Sequence, residues 1–311
     1  MSLPTVTIIG GTGVLGQNIS NAFVTDFRPS FSRVRILTRD PASTKSQQLA
    51  SKGAELVKVS EGADAHKLLD EAFADTDVIV NALPGSAPED TQRAILQAAA
   101  RSSAKVYFLD EFGCDHRIND FPGYESPEFL VKQKLAKEAR SSFKGKVIAL
   151  YTALFFEVGF AHPIVGIDVK NNAFTAYGSP AQRVSWTSLG DIGRAVARLA
   201  ILATNPATAA SIPDDVRIAG STATFEDVRD TVARVKGIAP AQIKTEDLAA
   251  KKAALKAPDA SFLEYLRLIM GFRVVMGEGK ADFGENNNNE LVNPGGKFWK
   301  WKSVEDFVRG L

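Results

Sequence analysis

Residues 4–16 read PTVTIIGGTGVLG, in which a β-branched run over residues 5–9 breaks into four glycines within seven positions. The run is short, apolar and suited to a buried strand, and residues 18–27, beyond the glycines, have helical character. Gly10, Gly13 and Gly16 stand in GxxGxxG spacing, a variant of the GxGxxG fingerprint. Glycine at such positions permits a tight turn, close approach of backbone to a pyrophosphate, and close packing of the following helix on the strand. The helix N-terminus then turns N–H groups and a positive dipole end toward the phosphates. Two readings are open, a dinucleotide-binding turn and a purely structural one. The position after a strand, at the opening of a helix and ahead of an alternating pattern favours the first. Gly10, Thr12, Gly13, Val14, Leu15 and Gly16 are then the contact residues.

Working outward, further strands are expected at residues 34–37, 54–59, 77–83, 106–109 and 147–152, with helical periodicity between them at 66–73 and 88–102. Strands alternating with helices at this spacing imply a parallel sheet, because each parallel crossover needs a helix to return the chain. The expected fold is a doubly wound α/β domain. After Leu154 the rhythm is lost. Short strands are expected at 173–177 and 184–186, an amphipathic helix at 191–203 and another at 225–236 capped by Thr224. Residues 239–275 look mainly helical, and the polar, glycine-rich tract 277–294 looks like a long loop. The expected organisation is a nucleotide-binding domain over 1–154, with 187–204 packing back on it, and a smaller, discontinuous α+β substrate-side domain from 155–186 and 205–311.

The 311 residues carry 37 basic side chains against 36 acidic ones, with 45% hydrophobic and 23% charged residues. That near balance, without a lysine or arginine run, argues against nucleic acid as a partner. The longest mostly apolar stretch, 147–160, is about 14 residues and contains Glu157, whereas a membrane helix needs roughly 20. Residues 1–30 show no basic n-region or apolar h-region before a cleavage site, so no membrane association and a cytoplasmic location are expected. One cysteine, Cys114, excludes an internal disulfide, and three scattered histidines, His66, His116 and His162, give no metal-ligand spacing.

The end of the second strand bears on which dinucleotide fits, since an acidic residue there pairs with a ribose 2′-hydroxyl and a basic one with a 2′-phosphate. The sequence is ILTRDPAS, with Arg39 at the strand end and Lys45 on the next helix, which favours NADP(H). NAD stays open if Asp40 rather than Arg39 faces the ribose.

GGTGVLG, LTRDP, LDEFG, the lysine-bearing FLVKQKLAKEA and VSWTSLGDIGRAVARLA occur in order over about 200 residues and together resemble the NmrA-like and isoflavone-reductase-like group of atypical short-chain dehydrogenases/reductases. The pairing of DEFG with the lysine helix is the more specific part. The resemblance implies an NADP-binding Rossmann fold. Plant members of the group reduce phenylpropanoid-type substrates, and fungal regulatory members bind the dinucleotide without known turnover. It also implies a functional lysine on the helix after strand five, which Lys132 matches. Glu128 stands four residues before it, where the YxxxK pair of typical short-chain dehydrogenases has tyrosine.

On its own terms Lys132 belongs near the carboxyl ends of strands four and five, the crevice where open α/β sheets bind ligands. There an ammonium can hold ribose hydroxyls or act as acid or base. The alternative is one solvated lysine among Lys132, Lys134 and Lys137. Asn81, Ala82, Leu83 and Pro84 close strand four beside the cofactor, Phe112 follows strand five and flanks the nicotinamide, and Tyr124 is a weaker candidate for proton donor or aromatic wall. Glu111 reads as a structural carboxylate, and Phe155, Phe156 and Phe160 as core and pocket wall. No nucleophile elbow and no Walker lysine is visible. Two functions remain in view, an NADPH-dependent reductase of a small aromatic or conjugated substrate and a non-catalytic NADP sensor, each as a monomer or homodimer.

Overall fold

The computed structural model describes residues 2–59, 65–118, 127–160, 162–256 and 264–311. Its contacts divide the chain into two compact units. The first comprises Met1–Phe112, Leu130–Leu150 and Leu189–Val216, and the second Gly113–Phe129, Tyr151–Ser188 and Arg217–Leu311.

The first unit alternates β1 (Thr5–Ile9), α1 (Val14–Val24), β2 (Arg33–Thr38), α2 (Thr44–Ala50), β3 (Glu55–Lys58), α3 (Ala65–Phe73), β4 (Val78–Asn81), α4 (Glu89–Arg101), β5 (Val106–Phe108), α5 (Pro127–Ser142) and β6 (Lys146–Tyr151). The strands lie in the order β6, β5, β4, β1, β2, β3, and Asp215–Arg217 adds a seventh beside β6. Pairing is parallel from β6 through to β3. This is the Rossmann-like, doubly wound order, in which strand succession reverses between β1 and β4. All five residues of β1 and all four of β4 are buried, as befits strands covered on both faces. Thr7, buried mid-strand, is satisfied by the Thr76 hydroxyl at 2.8 Å.

The helix Leu189–Thr204 buries Ile192, Ala195, Val196, Leu199, Ala200 and Ala203 on one face, the i, i+3, i+4 spacing of an amphipathic helix. It packs on α1, and Gly193 permits the approach: a Cβ there would lie 2.4 Å from the Asn18 carbonyl oxygen. Helix α1 begins at Val14, directly after Gly13 and with Gly16 in its first turn, four residues earlier than periodicity alone indicates.

In the second unit, Leu154–Phe155, Val184–Thr187 and Ser221–Ala223 form one three-stranded sheet, and Ile167–Asp168, Ala173–Tyr177 and Ile243–Glu246 another. Phe156 stacks on Phe307 at 5.2 Å between ring centroids, and Phe160 meets Trp186 edge-on at 4.9 Å, so these rings are core. Thr224 caps Phe225–Lys236 in a reciprocal box with Asp227, and Gly237 ends the helix at φ 65°.

Residues 239–275 are not uniformly helical. Ile243–Glu246 pairs in parallel with Ala173–Tyr177, ahead of the helices Leu248–Lys256 and Glu264–Gly277. The tract 277–294 contains one short helix, Asn289–Val292, and its asparagines hold it in place. Asn288 Oδ1 accepts from the Arg217 N–H, and Asn289 bonds both backbone groups of Ala219. Among the described residues no helix is long and apolar enough to cross a membrane.

Candidate dinucleotide site

At the carboxyl end of β1, Gly10 takes φ +71°, and a Cβ on it would sit 2.6 Å from the Ala82 carbonyl oxygen at the end of β4. The first turn after β1 therefore lies directly against the last residues of β4, at the point where strand order reverses. The Gly13 N–H returns to the Gly10 carbonyl at 2.9 Å, closing the turn. Gly16 brings α1 onto that same carbonyl, with only 2.0 Å from its would-be Cβ to Gly10 O. The helical ladder starts with Gln17 N–H to Gly13 O, which leaves the Val14, Leu15 and Gly16 amides outside it. No acidic residue occupies the first turn, no side chain caps it, and Gly13 and Val14 are exposed while Thr12 is half-buried beside them. These residues fit a dinucleotide: the bared backbone and uncapped N-terminus suit a pyrophosphate.

At the end of β2, Arg39 and Asp40 are both exposed. The Asp40 carboxylate turns back on its own loop, with Oδ1 accepting from the Ala42 N–H at 3.0 Å. Its carbonyl accepts from the hydroxyls of Ser43 and Ser46, at 3.0 and 2.8 Å, and Ser43 caps α2. Asp40 is thereby engaged in opening α2, a sufficient structural reason for an acid here. Lys45 is exposed in the first turn of α2.

Asn81 ends β4, and its side chain does more than its position alone indicates. Its Oδ1 accepts from the Leu83 N–H at 3.3 Å, and its Nδ2 reaches the Tyr107 hydroxyl on β5 at 3.5 Å. Burial, then the charge of Asp110, push the Tyr107 phenol well above its usual pKa, against a smaller opposing effect of Asn81. Leu83 is half-buried and Pro84 exposed along the same turn.

Lys132 lies on α5 with 8% of its surface exposed. Its Nζ donates to the Asp110 carbonyl at 2.7 Å and the Glu111 carbonyl at 3.3 Å. The ammonium thus reaches the carboxyl end of β5, where two main-chain carbonyls accept from it. Phe112, the next residue, is buried. Glu128, one turn earlier on α5, is half-buried. Tyr124 lies outside the described residues. Gly10, Arg39, Ala82 and Leu83, Phe112 and Lys132 therefore all stand at or beside carboxyl ends of parallel strands, one edge of one sheet.

Three features escaped the sequence reading. The Asp110 and Glu111 acceptors of Lys132 are backbone carbonyls, which no residue type betrays. Asn81 closing an apolar run was a usable signal, since a buried amide needs partners. In the second unit Asp115, fully buried, binds Arg117 at 2.7 Å and Arg217 at 2.6 Å. Burial raises the pKa of this carboxyl, but the two arginines outweigh it and hold the group below its ordinary value. No cluster among the described residues is arranged to hold a metal ion.

Comparison with known proteins follows the same lines. The model of the NmrA-like family matches residues 3–252. An NmrA-like family domain-containing oxidoreductase, malD, of Malbranchea aurantiaca is 29% identical over 206 residues, spanning 60% of this chain and 60% of that protein's length. Among solved structures, isoflavone reductase superposes with a TM-score of 0.75 at 17% identity over 99% of both chains. Leucoanthocyanidin reductase of Vitis vinifera in complex with NADPH gives 0.77 at 17% over 98% of both. The Escherichia coli NADPH-dependent quinone oxidoreductase QOR2 with NADPH gives 0.68 at 15%, over 98% of this chain and 99% of that one. At such identities these likenesses establish the fold, whereas the family match extends over most of the sequence. The chain belongs to the NmrA-like family.

Proposed function

We propose that the protein is an NADPH-dependent reductase of a small aromatic or conjugated organic substrate. The observation that carries this reading is Lys132, a buried ammonium fixed on the Asp110 and Glu111 carbonyls at the same sheet edge as the glycine turn. The amides after Gly13 receive the pyrophosphate, and Arg39 and Lys45 select the 2′-phosphate, with Asp40 occupied in its own loop. Ala82, Leu83, Pro84 and Phe112 border the remainder of the cofactor. When bound, the dinucleotide supplies the hydride. Lys132 orients the nicotinamide ribose through its hydroxyls or gives a proton to the anion that develops on the substrate. The named oxidoreductase among the relatives, and the NADPH complexes of proteins sharing the fold, support this reading.

Glu128 favours a second reading, because the usual tyrosine proton donor is missing at that position. In it the protein binds NADP and reports the dinucleotide without turnover. The test is NADPH oxidation against a panel of enones, quinones and phenylpropanoids. Turnover of at least one, lost in a Lys132→Ala protein that still binds NADPH, is expected. A folded, NADPH-binding protein inert toward the whole panel would replace the reductase with the sensor.

A further inference from the structure

In helix α5, Lys132 shares its buried stripe with Leu135 and Ala139, at the i, i+3, i+7 spacing of one helical face. Helix α4 buries Gln92, Ile95, Leu96 and Ala99. Beside each buried stripe runs a charged flank, Glu89 and Arg93 on α4, Lys134 and Glu138 on α5, each an i, i+4 pair. The two flanks meet. Arg93 Nη1 donates to Glu138 Oε2 and Nη2 to Glu89 Oε1, and Lys134 Nζ donates to that same Glu89 oxygen at 2.7 Å. Both cross-links span 45 residues of sequence, so they tie one helix to the other.

Glu138, Arg93, Glu89 and Lys134 thus form a chain of alternating, balanced charge. The bond from Lys134 first, then that from Arg93, hold the Glu89 carboxyl below its ordinary pKa, so the network stays ionised at neutral pH. Its members are 27–61% exposed, and ion pairs in that setting add little stability. Their geometry matters more. Glu89 opens α4 a few residues beyond the Ala82–Leu83–Pro84 turn, and Lys134 lies two residues beyond Lys132. A shift of α5 against α4 carries Lys132 off the carbonyls of Asp110 and Glu111, and a misplacement of about 1 Å at reacting groups can cost ~100-fold in rate.

We propose that this four-residue network is a positioning device for Lys132, fixing α5 against α4 so that the ammonium stays at the carboxyl end of β5. Arg93, which bonds both its own helix and α5, is the central positioning residue. Its effect on turnover rests on the reductase reading, and its effect on the placement of Lys132 does not.

The test pairs acylation of Lys132 by sub-stoichiometric acetic anhydride, read by mass spectrometry against exposed Lys137 of the same helix, with NADPH oxidation and NADPH affinity. Arg93→Met is expected to raise Lys132 acylation relative to Lys137 and to lower turnover, each at least ~10-fold, with NADPH affinity within about threefold of wild type. Inverting all four charges together, Glu89→Lys, Arg93→Glu, Lys134→Glu and Glu138→Arg, keeps every pair with its sign reversed and should restore both readouts. Arg101→Met removes a pair of the same kind, which ties α4 to Asp70 of α3 at 2.7 Å, and should change neither. A wild-type protein without turnover ends the reductase reading, and the acylation ratios then decide the proposal by themselves. Acylation unchanged in Arg93→Met or raised equally in Arg101→Met, no recovery on inversion, or full turnover from an Arg93→Met protein whose Lys132 has become reactive would each overturn it.

Discussion

Adding one methyl group at Gly13 and, separately, at Gly16 distinguishes a turn that receives phosphates from a turn that only packs. At Gly16 the new Cβ would lie 2.0 Å from Gly10 O and 2.8 Å from Gly10 C, both backbone atoms. An ordinary contact is about 3.4 Å or more, so α1 must retreat from the β1 turn by more than an ångström, and overpacking of this kind costs about 1–3 kcal/mol. For a chain of this size that is a fall in Tm of roughly 2–4 °C per kcal/mol. At Gly13 the nearest atom would be Gly10 O at 3.2 Å, and the backbone, φ −69° and ψ 176°, is one that alanine adopts freely. Gly13→Ala should therefore lose no more than about 1 kcal/mol, the scale of a helix-cap exchange. Its methyl group nevertheless lies on the exposed side of the turn, where a pyrophosphate would come against the backbone. Expected for Gly13→Ala is near wild-type thermal stability with NADPH affinity reduced at least ~10-fold, about 1.4 kcal/mol. Gly16→Ala should lose both. Thermal unfolding and calorimetric NADPH titration on the same preparations read the two effects apart. A Gly13→Ala protein of full stability and full NADPH affinity would refute the argument that phosphates approach this turn.

Two other expectations are independent of that turn. Replacing Arg39 and Lys45 together by alanine should weaken NADPH binding by roughly 10–100-fold, the loss of charge-assisted bonds to a phosphate, and leave NADH binding unchanged. Asp40→Asn should not alter that preference, and a variant that gained NADPH affinity would show Asp40 to be facing the ribose. Asp115 contributes an acid limb to stability: its folded pKa lies below the ordinary 3.8, so its contribution is complete above that value and is lost as pH falls through the lowered one. Asp115→Asn should cost about 2–3 kcal/mol at neutral pH, less than a wholly buried pair because Arg117 is 43% exposed, and should flatten the acid limb seen in urea titrations as pH falls below the ordinary 3.8.

The inner strands of the first unit were legible because they are buried on both faces and therefore almost continuously apolar, whereas β3 at the sheet edge is only half-buried. Thr5–Ile9 and Val106–Phe108 stand out for that reason, and the glycines between β1 and α1 mark the turn. Ile243–Glu246 was not legible. Its residues are half-buried only at the two ends and exposed between, so it shows no alternation, and its partner strand lies far upstream. Polar composition likewise marked 277–294 as a loop but gave no sign that Asn288 and Asn289 bond the backbone around Arg217 and Ala219. At the candidate site, Gly10, Arg39 and Lys132 were found by residue type and spacing. The anchoring of Lys132 was not, because backbone carbonyls are common to every residue, nor was the pairing of Asp115 with Arg217, 102 positions away.

That anchoring shapes what Lys132 can do. The Asp110 and Glu111 carbonyls do not titrate across the neutral range, so these two acceptors of the ammonium stay the same whatever the working pH. With Glu128 in place of a phenol, no tyrosine on that helical turn relays a proton from lysine to substrate. A proton reaching the substrate from this helix face then comes from the ammonium itself. Lys132→Arg separates the two duties, since a guanidinium keeps the charge and donates to carbonyls but does not release a proton near neutral pH. We expect Lys132→Arg to bind NADPH within about threefold of wild type and to lose at least ~100-fold in turnover, the usual scale for a missing general acid. Equal loss of NADPH binding would mark a disturbed site, and Lys132→Ala then serves as the comparison. Full turnover by a variant that binds NADPH normally would assign Lys132 to holding the cofactor and end the case for it as a proton donor.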